Sequence, residues 1–157
     1  MDAGTVIRNW CAYQERSQHE TRQKLRSMGV PPDMAEEHIA ALISENFLNE
    51  ERFARAFAGG RFRIKQWGRI KIMQSLRQHR LSERVIESAM KGIDSEDYSG
   101  AVRILARRKI ATFQLTDRKR KYHGTLRYLV GKGFEAELVR DVLNQILGET
   151  DDYEFRT

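Results

Sequence analysis

The chain has little of what several common protein classes need. Its 157 residues include a single cysteine, Cys11, which excludes an internal disulfide framework and favours a reducing, cytoplasmic compartment. No apolar run approaches the roughly 18 residues that a membrane-spanning helix needs. The first residues also lack a basic segment followed by an apolar one, so we expect neither a signal peptide nor a membrane partner.

Residues that interrupt helices are also scarce. Two prolines and eleven glycines argue against a turn-rich β-sandwich, and apolar residues recur at helical spacing in nine segments, so we expect an all-α fold. Ser17 followed by Glu20 predicts a capping box at the start of the second helix. The adjacent Gly59 and Gly60 predict a kink or break in the fourth helix, whose apolar stripe is expected to continue to Ile64.

Patterns that carry catalytic or metal chemistry are missing from the sequence. The four histidines are scattered and there is no second cysteine, so the spacing of metal ligands is absent. The segment Gly131-Lys132-Gly133-Phe134 lacks both the upstream glycine and the Ser or Thr of a phosphate-binding loop. We therefore expect no catalytic residue, no metal and no cofactor, and we expect that the protein is not an enzyme.

What the chain does contain is one pattern written three times, about every 50 residues. The corresponding positions are Thr21, Leu25 and Gly29, then Ile72, Leu76 and Arg80, then Thr125, Leu129 and Gly133. Repeats of this length are small units that bury their apolar faces on one another. We expect three tandem three-helix repeats, residues 1–48, 49–95 and 96–157, in an elongated, curved, right-side-stacked helical array. The third repeat ends in an acidic C-terminal tail that we expect to fray.

Positive charge is concentrated in two blocks, and the net charge is +6 with a pI near 9.7. Residues 61–80 contain no acidic residue, and residues 103–121 contain only Asp117. Such blocks are often solvated helix faces, but two blocks in corresponding repeats favour a polyanionic partner. The candidate contact residues are Arg61, Arg63, Lys65, Arg69, Lys71, Arg77, Arg107, Arg108, Lys109, Arg118, Lys119, Arg120 and Lys121.

Two aromatic residues, Trp67 and Tyr122, lie beside the basic blocks. They are candidates for stacking on nucleic-acid bases, and the alternative is that they anchor the packing of helices. A charge reversal of Arg69 and Lys71 to Glu is expected to weaken partner binding without changing the helical content.

Four ordered segments resemble motifs of the RecX regulatory proteins. They are the run RSQHETRQKL at residues 16–25, FLNEERFA at 47–54, the Gly68-xxx-Ile72-xxx-Leu76 spacing, and Tyr128-Leu129 followed by Gly133-Phe134. Asn46 stands where that family usually has glycine, and Arg80 replaces the usual glycine at the end of a helix. Arg80 must then end its helix without the tolerance of glycine for positive φ.

The resemblance implies a modulator of the RecA recombinase, built from tandem three-helix repeats. Such a protein would bind RecA or the RecA–single-stranded DNA filament, by groove binding or end capping, and would inhibit recombinase, ATPase and co-protease activity. We expect a monomer that contacts single- or double-stranded DNA directly or through the filament. Two alternatives stay open: a helical-repeat nucleic-acid-binding protein without a recombinase partner, and a scaffold for an acidic protein.

Overall fold

The computed structural model describes residues 1–114 and 116–148, so the predicted tail at 149–157 lies outside the described residues. Within the described ranges the chain forms nine α-helices and no β-strand, which confirms the all-α prediction. The helices are α1 Ala3–Tyr13, α2 Gln18–Ser27, α3 Pro32–Ser44, α4 Glu50–Arg63, α5 Arg69–Gln78, α6 Glu83–Met90, α7 Ser95–Thr112, α8 Arg118–Gly131 and α9 Ala136–Leu147. None of these helices combines the length and the apolarity needed to cross a membrane.

Local capping signals in the sequence set where several helices begin. The Ser17 side chain accepts a hydrogen bond from the Glu20 backbone N–H, and the Glu20 carboxylate accepts one from the Ser17 N–H, which confirms the capping box. Asn49 caps α4 by accepting from the Arg52 N–H at 2.9 Å, and Ser82 caps α6 in the same way. These bonds satisfy backbone donors that have no partner inside the helix.

The threefold sequence pattern corresponds to three similar helix ends. Its second position, occupied by Leu25, Leu76 and Leu129, is fully buried each time. Four residues later the backbone has positive φ each time, at Gly29 (81°), Arg80 (59°) and Gly133 (97°). After two of the three helices the next N–H donates back to the buried leucine carbonyl, from Val30 and from Phe134. This is the geometry of a Schellman C-cap, and Arg80 adopts its positive φ without being glycine.

By packing, the chain divides into two compact units, with boundaries inside α4, inside α5 and between α6 and α7. Unit 1 comprises Met1–Gly60 and Gln74–Gly92, and unit 2 comprises Arg61–Met73 and Ile93–Thr157. Residues 115 and 149–157 of unit 2 are outside the described part. These units follow a different division from that of the three predicted repeats, which stay a prediction.

Each unit has its own buried side chains. In unit 1 one cluster comes from α1, α2 and α3 and the segment after α3, and includes Ile7, Leu25, Ile39, Leu42 and Leu48. Side chains of α4, α5 and α6 in this unit are also buried. In unit 2 the buried side chains include Tyr98, Val102, Leu129, Phe134 and Leu143, from α7, α8, α9 and the turn between the last two, together with one from the start of α5.

Two expectations about α4 are wrong: a break at Gly59 and Gly60, and an apolar stripe that continues to Ile64. The helix continues without a break from Glu50 to Arg63, so Gly59 and Gly60 do not interrupt it. Gly59 is buried, which fits a glycine kept for close packing within a continuous helix. Ile64 lies just after the helix and is 80% exposed, so it does not extend the apolar stripe.

Candidate functional site

Arg69, a predicted contact residue, belongs to a partly buried polar network in unit 2. Its backbone N–H donates to the Tyr98 hydroxyl at 3.0 Å, and its Nη1 donates to Glu135 Oε2 at 3.0 Å. The Tyr98 hydroxyl donates to the other carboxylate oxygen of Glu135. The Arg69 guanidinium also lies 3.8 Å from the centroid of the Tyr98 ring. Arg69 therefore has an internal structural role that the charge pattern did not reveal.

Burial keeps the Tyr98 hydroxyl in its neutral, donating form. Tyr98 is fully buried, and this desolvation, with the neighbouring Glu135 carboxylate acting in the same direction, raises the pKa of Tyr98 well above its usual value. Reversing Arg69 to Glu would place a second carboxylate against Glu135. The expectation that the Arg69 and Lys71 double reversal leaves the helical content unchanged stays a prediction. Arg69 is unsuitable for testing partner binding, because its side chain already has these internal contacts.

Two glycines bring the start of α5 against the turn between α8 and α9. A Cβ atom on Gly68 would lie 2.2 Å from the carbonyl carbon of Gly133, and a Cβ on Gly133 would lie 2.4 Å from Lys71 Cβ. The Gly68 N–H donates to the Lys132 carbonyl at 2.8 Å, and the Ile70 N–H donates to the Gly133 carbonyl at 3.0 Å. This close approach fixes the first turn of α5, and with it the basic residues beside it.

Trp67 is half-buried and has cations near its ring. Lys71 Nζ lies 4.5 Å from the ring centroid and the Arg61 guanidinium carbon 5.4 Å from it, so the ring takes part in cation–π contacts. The backbone N–H of Trp67 also donates to the backbone carbonyl of Arg61 at 2.9 Å. Stacking of a base on Trp67 stays a prediction, and the contacts show an anchor for the loop between α4 and α5.

Other predicted contact residues already have partners. Arg77 in unit 1 forms an exposed salt bridge with Glu83 at 2.9 Å. In unit 2, Lys109 Nζ lies 4.6 Å from the centroid of the Tyr128 ring. Exposed ion pairs contribute little stability, so the Arg77 pair does not prevent Arg77 from meeting a partner.

Four of the predicted cations are exposed on α7, at the end of α4 and just after it. Arg63, Lys65, Arg107 and Arg108 are all exposed. Within residues 1–114 and 116–148 none of these four side chains forms a salt bridge or a hydrogen bond to another residue. Arg103 shares these properties and lies one turn before Arg107. Among its described residues, unit 2 thus presents a group of guanidinium and ammonium groups without a counter-ion.

The second basic block continues into the first turn of α8. Arg118, Lys119 and Arg120 are exposed, and Lys121 is half-buried. Asp117 caps this helix by accepting from the Arg120 N–H at 2.8 Å. Cations at the N-terminal end of a helix oppose its dipole, so their presence there is not explained by the stability of α8.

Tyr122, the second residue predicted to stack on bases, is only 6% exposed. Its ring lies 5.3 Å from the His123 ring, and burial raises the pKa of the Tyr122 hydroxyl. A base cannot reach a ring that is enclosed in this way. Tyr122 is therefore a packing residue, the alternative that the sequence left open.

A pocket in unit 2 was missed by sequence reasoning. Its volume is about 260 Å³, and its lining joins Arg63 and Arg108 to apolar residues that include Phe62, Ile104 and Phe134. The sequence held one signal of this pocket: Ile104 is apolar but does not share the helical spacing of Val102, Leu105 and Ala106. In the structure the Ile104 side chain is 50% exposed. Phe62 and Phe134 are far apart in sequence, so only the packing of unit 2 shows that they meet.

One serine–histidine pair in unit 1 has a structural explanation. Ser17 Oγ lies 2.7 Å from His79 Nδ1, and the same Oγ caps α2. The Ser17 residue is fully buried, and the His79 ring packs 4.9 Å from the ring of Phe53. The pair thus links the start of α2 to the end of α5 inside unit 1.

These features define a class of protein: an all-α chain that displays clustered arginines without a counter-ion among the described residues. The family models agree with this class and give it a name. The model described as "RecX, first three-helix domain" matches residues 9–42, and "RecX, second three-helix domain" matches residues 49–90. The chain belongs to the RecX family.

Relatives and solved structures agree with this assignment. A Regulatory protein RecX from Prosthecochloris aestuarii is 29% identical over 133 residues, covering 85% of each chain. Another from Clostridium botulinum (strain Eklund 17B) is 28% identical and covers 84% of this chain, which spans only 62% of that relative's length. A crystal structure of RecX from Lactobacillus salivarius superimposes with a TM-score of 0.80 at 22% identity, covering 92% of this chain and 93% of that one. The last likeness supports the fold.

Proposed function

We propose that this protein regulates RecA by binding RecA or the RecA–single-stranded DNA filament and inhibiting its recombinase, ATPase and co-protease activities. The relatives are named regulatory proteins, and this supports a regulatory role. The protein acts as a monomer in the cytoplasm, in recombination and DNA repair, and it binds in the filament groove or caps a filament end.

The observation that carries the proposal is the set of exposed arginines of unit 2 that have no counter-ion within residues 1–114 and 116–148. Like charges one helical turn apart, such as Arg103 and Arg107, repel each other and destabilise a helix. A filament of protein and single-stranded DNA carries regularly spaced phosphates that would neutralise them. The proposal therefore places the outer face of α7 toward the filament.

The test is a double charge reversal, Arg107→Glu with Arg108→Glu, assayed by ATP hydrolysis of the cognate RecA on single-stranded DNA. The wild-type protein should slow hydrolysis at substoichiometric amounts. If the reversal costs roughly 1–2 kcal/mol of binding, the concentration for half-inhibition should rise about 5- to 30-fold.

The matched control is Arg26→Glu with Lys91→Glu, two exposed cations of unit 1. This variant has the same net charge, so an equal loss in both variants would attribute the effect to overall charge and contradict a specific face. If the wild-type protein leaves the ATPase unchanged at equimolar amounts but binds naked DNA tightly, the alternative of a nucleic-acid-binding protein without a recombinase partner is correct.

A further inference from the structure

The pocket of unit 2 lies beside the exposed arginines and combines apolar and cationic walls. Leu105 and Phe134 are buried and form part of its wall, while Phe62 is half-buried and Ile104 is half-exposed. The Phe62 and Phe134 rings each lie against the ring of Tyr98, at 5.7 Å and 5.5 Å between centroids. At about 260 Å³ the pocket is smaller than the roughly 300–1,000 Å³ of sites for drug-sized ligands. It fits one flat group rather than a whole cofactor.

The polar part of the lining is cationic and amide, without a carboxylate among the described residues that form it. Arg63 comes from the end of α4 and Arg108 from α7, and both are exposed and have no ion-pair or hydrogen-bond partner in the described part of the chain. Gln66 adds a side chain that can both donate and accept hydrogen bonds, on a backbone with φ of 58°. The pocket thus combines an apolar wall with two exposed arginines that can bind anions.

The arginines extend beyond the pocket as a row. Arg103, Arg107 and Arg108 are exposed on α7, and residues four apart on a helix lie about 5–6 Å from each other at Cβ. A row of separate cations matches an anion that repeats its charge along a chain. The alternative occupant is a peptide with one apolar side chain beside a carboxylate. Such a peptide would pair only with the two arginines of the pocket lining, Arg63 and Arg108, and does not account for the rest of the row.

We propose that this pocket receives one base of a single-stranded nucleic acid whose phosphates lie along Arg63, Arg107 and Arg108. The flat face of a base can contact the apolar wall that includes Phe62, and its polar edge can form hydrogen bonds with Gln66. Contact of a base with aromatic side chains does not depend on the nucleotide sequence, because every base has a π-face. The nucleic acid is single-stranded because a paired base cannot leave the stack without additional cost. The inference deepens the proposed function and rests on it for the source of the strand, which is the RecA filament.

The test compares fluorescently labelled oligo(dT) with an abasic oligonucleotide of the same length and charge, by anisotropy at fixed salt. Stacking of about 1–3 kcal/mol per base predicts that the wild-type protein prefers oligo(dT) about 5- to 150-fold. Ala101→Leu places a larger side chain in the pocket wall and should reduce this preference to about one, while abasic binding is kept. The matched control is Ala111→Leu on the same helix, at an exposed position outside the pocket lining.

Ile104→Ala provides a second variant, at an exposed side chain whose loss does not threaten the core, and it should also lower the oligo(dT) preference. Equal binding of both oligonucleotides by the wild-type protein would overturn the proposal. So would a loss of RecA inhibition in Ala101→Leu with the base preference unchanged, which would indicate a protein segment in the pocket. A wild-type protein that prefers oligo(dT) but does not slow RecA would support the pocket and refute the proposed function.

Discussion

The close approach of Gly68 to the α8–α9 turn can be tested by adding a single methyl group. In Gly68→Ala the new Cβ would lie 2.2 Å from the Gly133 carbonyl carbon and 2.3 Å from the Phe134 nitrogen. Non-bonded carbon atoms prefer roughly 3.5–4.0 Å, so the start of α5 would have to move away by more than about 1 Å. All three nearest atoms belong to the backbone, and no flexible side chain can yield instead.

The expected cost follows from overpacking and from two hydrogen bonds. Overpacking of a dense site costs about 1–3 kcal/mol. The bonds from the Gly68 N–H to the Lys132 carbonyl and from the Ile70 N–H to the Gly133 carbonyl would weaken, at about 1 kcal/mol each when lost. A total of roughly 2–4 kcal/mol corresponds to a fall in Tm of about 4–16 °C for a chain of this size.

The control substitution is Gly60→Ala in α4. A Cβ there meets nothing within 4 Å, and alanine is favoured over glycine inside a helix by up to about 1 kcal/mol, so this variant should be more stable. Tm by circular dichroism and the free energy of unfolding in urea would both be measured. If Gly68→Ala unfolds within about 0.5 kcal/mol of the wild type, the close approach is not a constraint and the reasoning fails.

Two further substitutions test the polar network around Tyr98 and the helix end at Arg80, where φ is positive. Tyr98→Phe removes a hydroxyl that satisfies a backbone N–H and a carboxylate, so urea unfolding should show a loss of about 1–3 kcal/mol. The control Tyr128→Phe, at a partly exposed ring, should change stability by less than about 0.5 kcal/mol, and equal losses would show that the network contributes nothing. Arg80→Gly should raise stability by up to about 1 kcal/mol, because Arg80 has φ of 59°. Gln74→Gly within the same helix should lower stability by about 1 kcal/mol, and a similar fall in Arg80→Gly would contradict strain at that position.

Short-range signals in the sequence were sufficient for much of the fold. The capping box at Ser17, the helix ends at Gly29 and Gly133, and the corresponding end at Arg80 depend on residues within one helical turn, and the structure has each of them. The break at Gly59 and Gly60 was wrong because a conformational preference of about 1 kcal/mol per glycine is easily outweighed by tertiary packing. Propensity is a weak guide where a helix is buried.

The candidate site could be predicted only in part. Charge along the sequence identified Arg107 and Arg108, which are exposed and form no ion pair with the residues that the structure describes. It could not separate them from Arg69, whose partners Tyr98 and Glu135 are 29 and 66 residues away. Such contacts cannot be predicted from a single sequence, because no pattern in the residues between the partners indicates that they pair.

By itself, the sequence determined that the protein is all-α, that a helical pattern recurs three times, that its family is RecX, and that positive charge gathers in two blocks. These properties depend on hydrogen bonds and periodicities within a few residues, or on composition. Only the tertiary structure decided which cations serve the fold and which face solvent, and that Phe62, Ile104 and Phe134 enclose a pocket beside them. The reason is physical, because burial and ion pairing depend on distances in space. In unit 2 the packing of the last residues of α4 with α7 and the α8–α9 turn sets those distances.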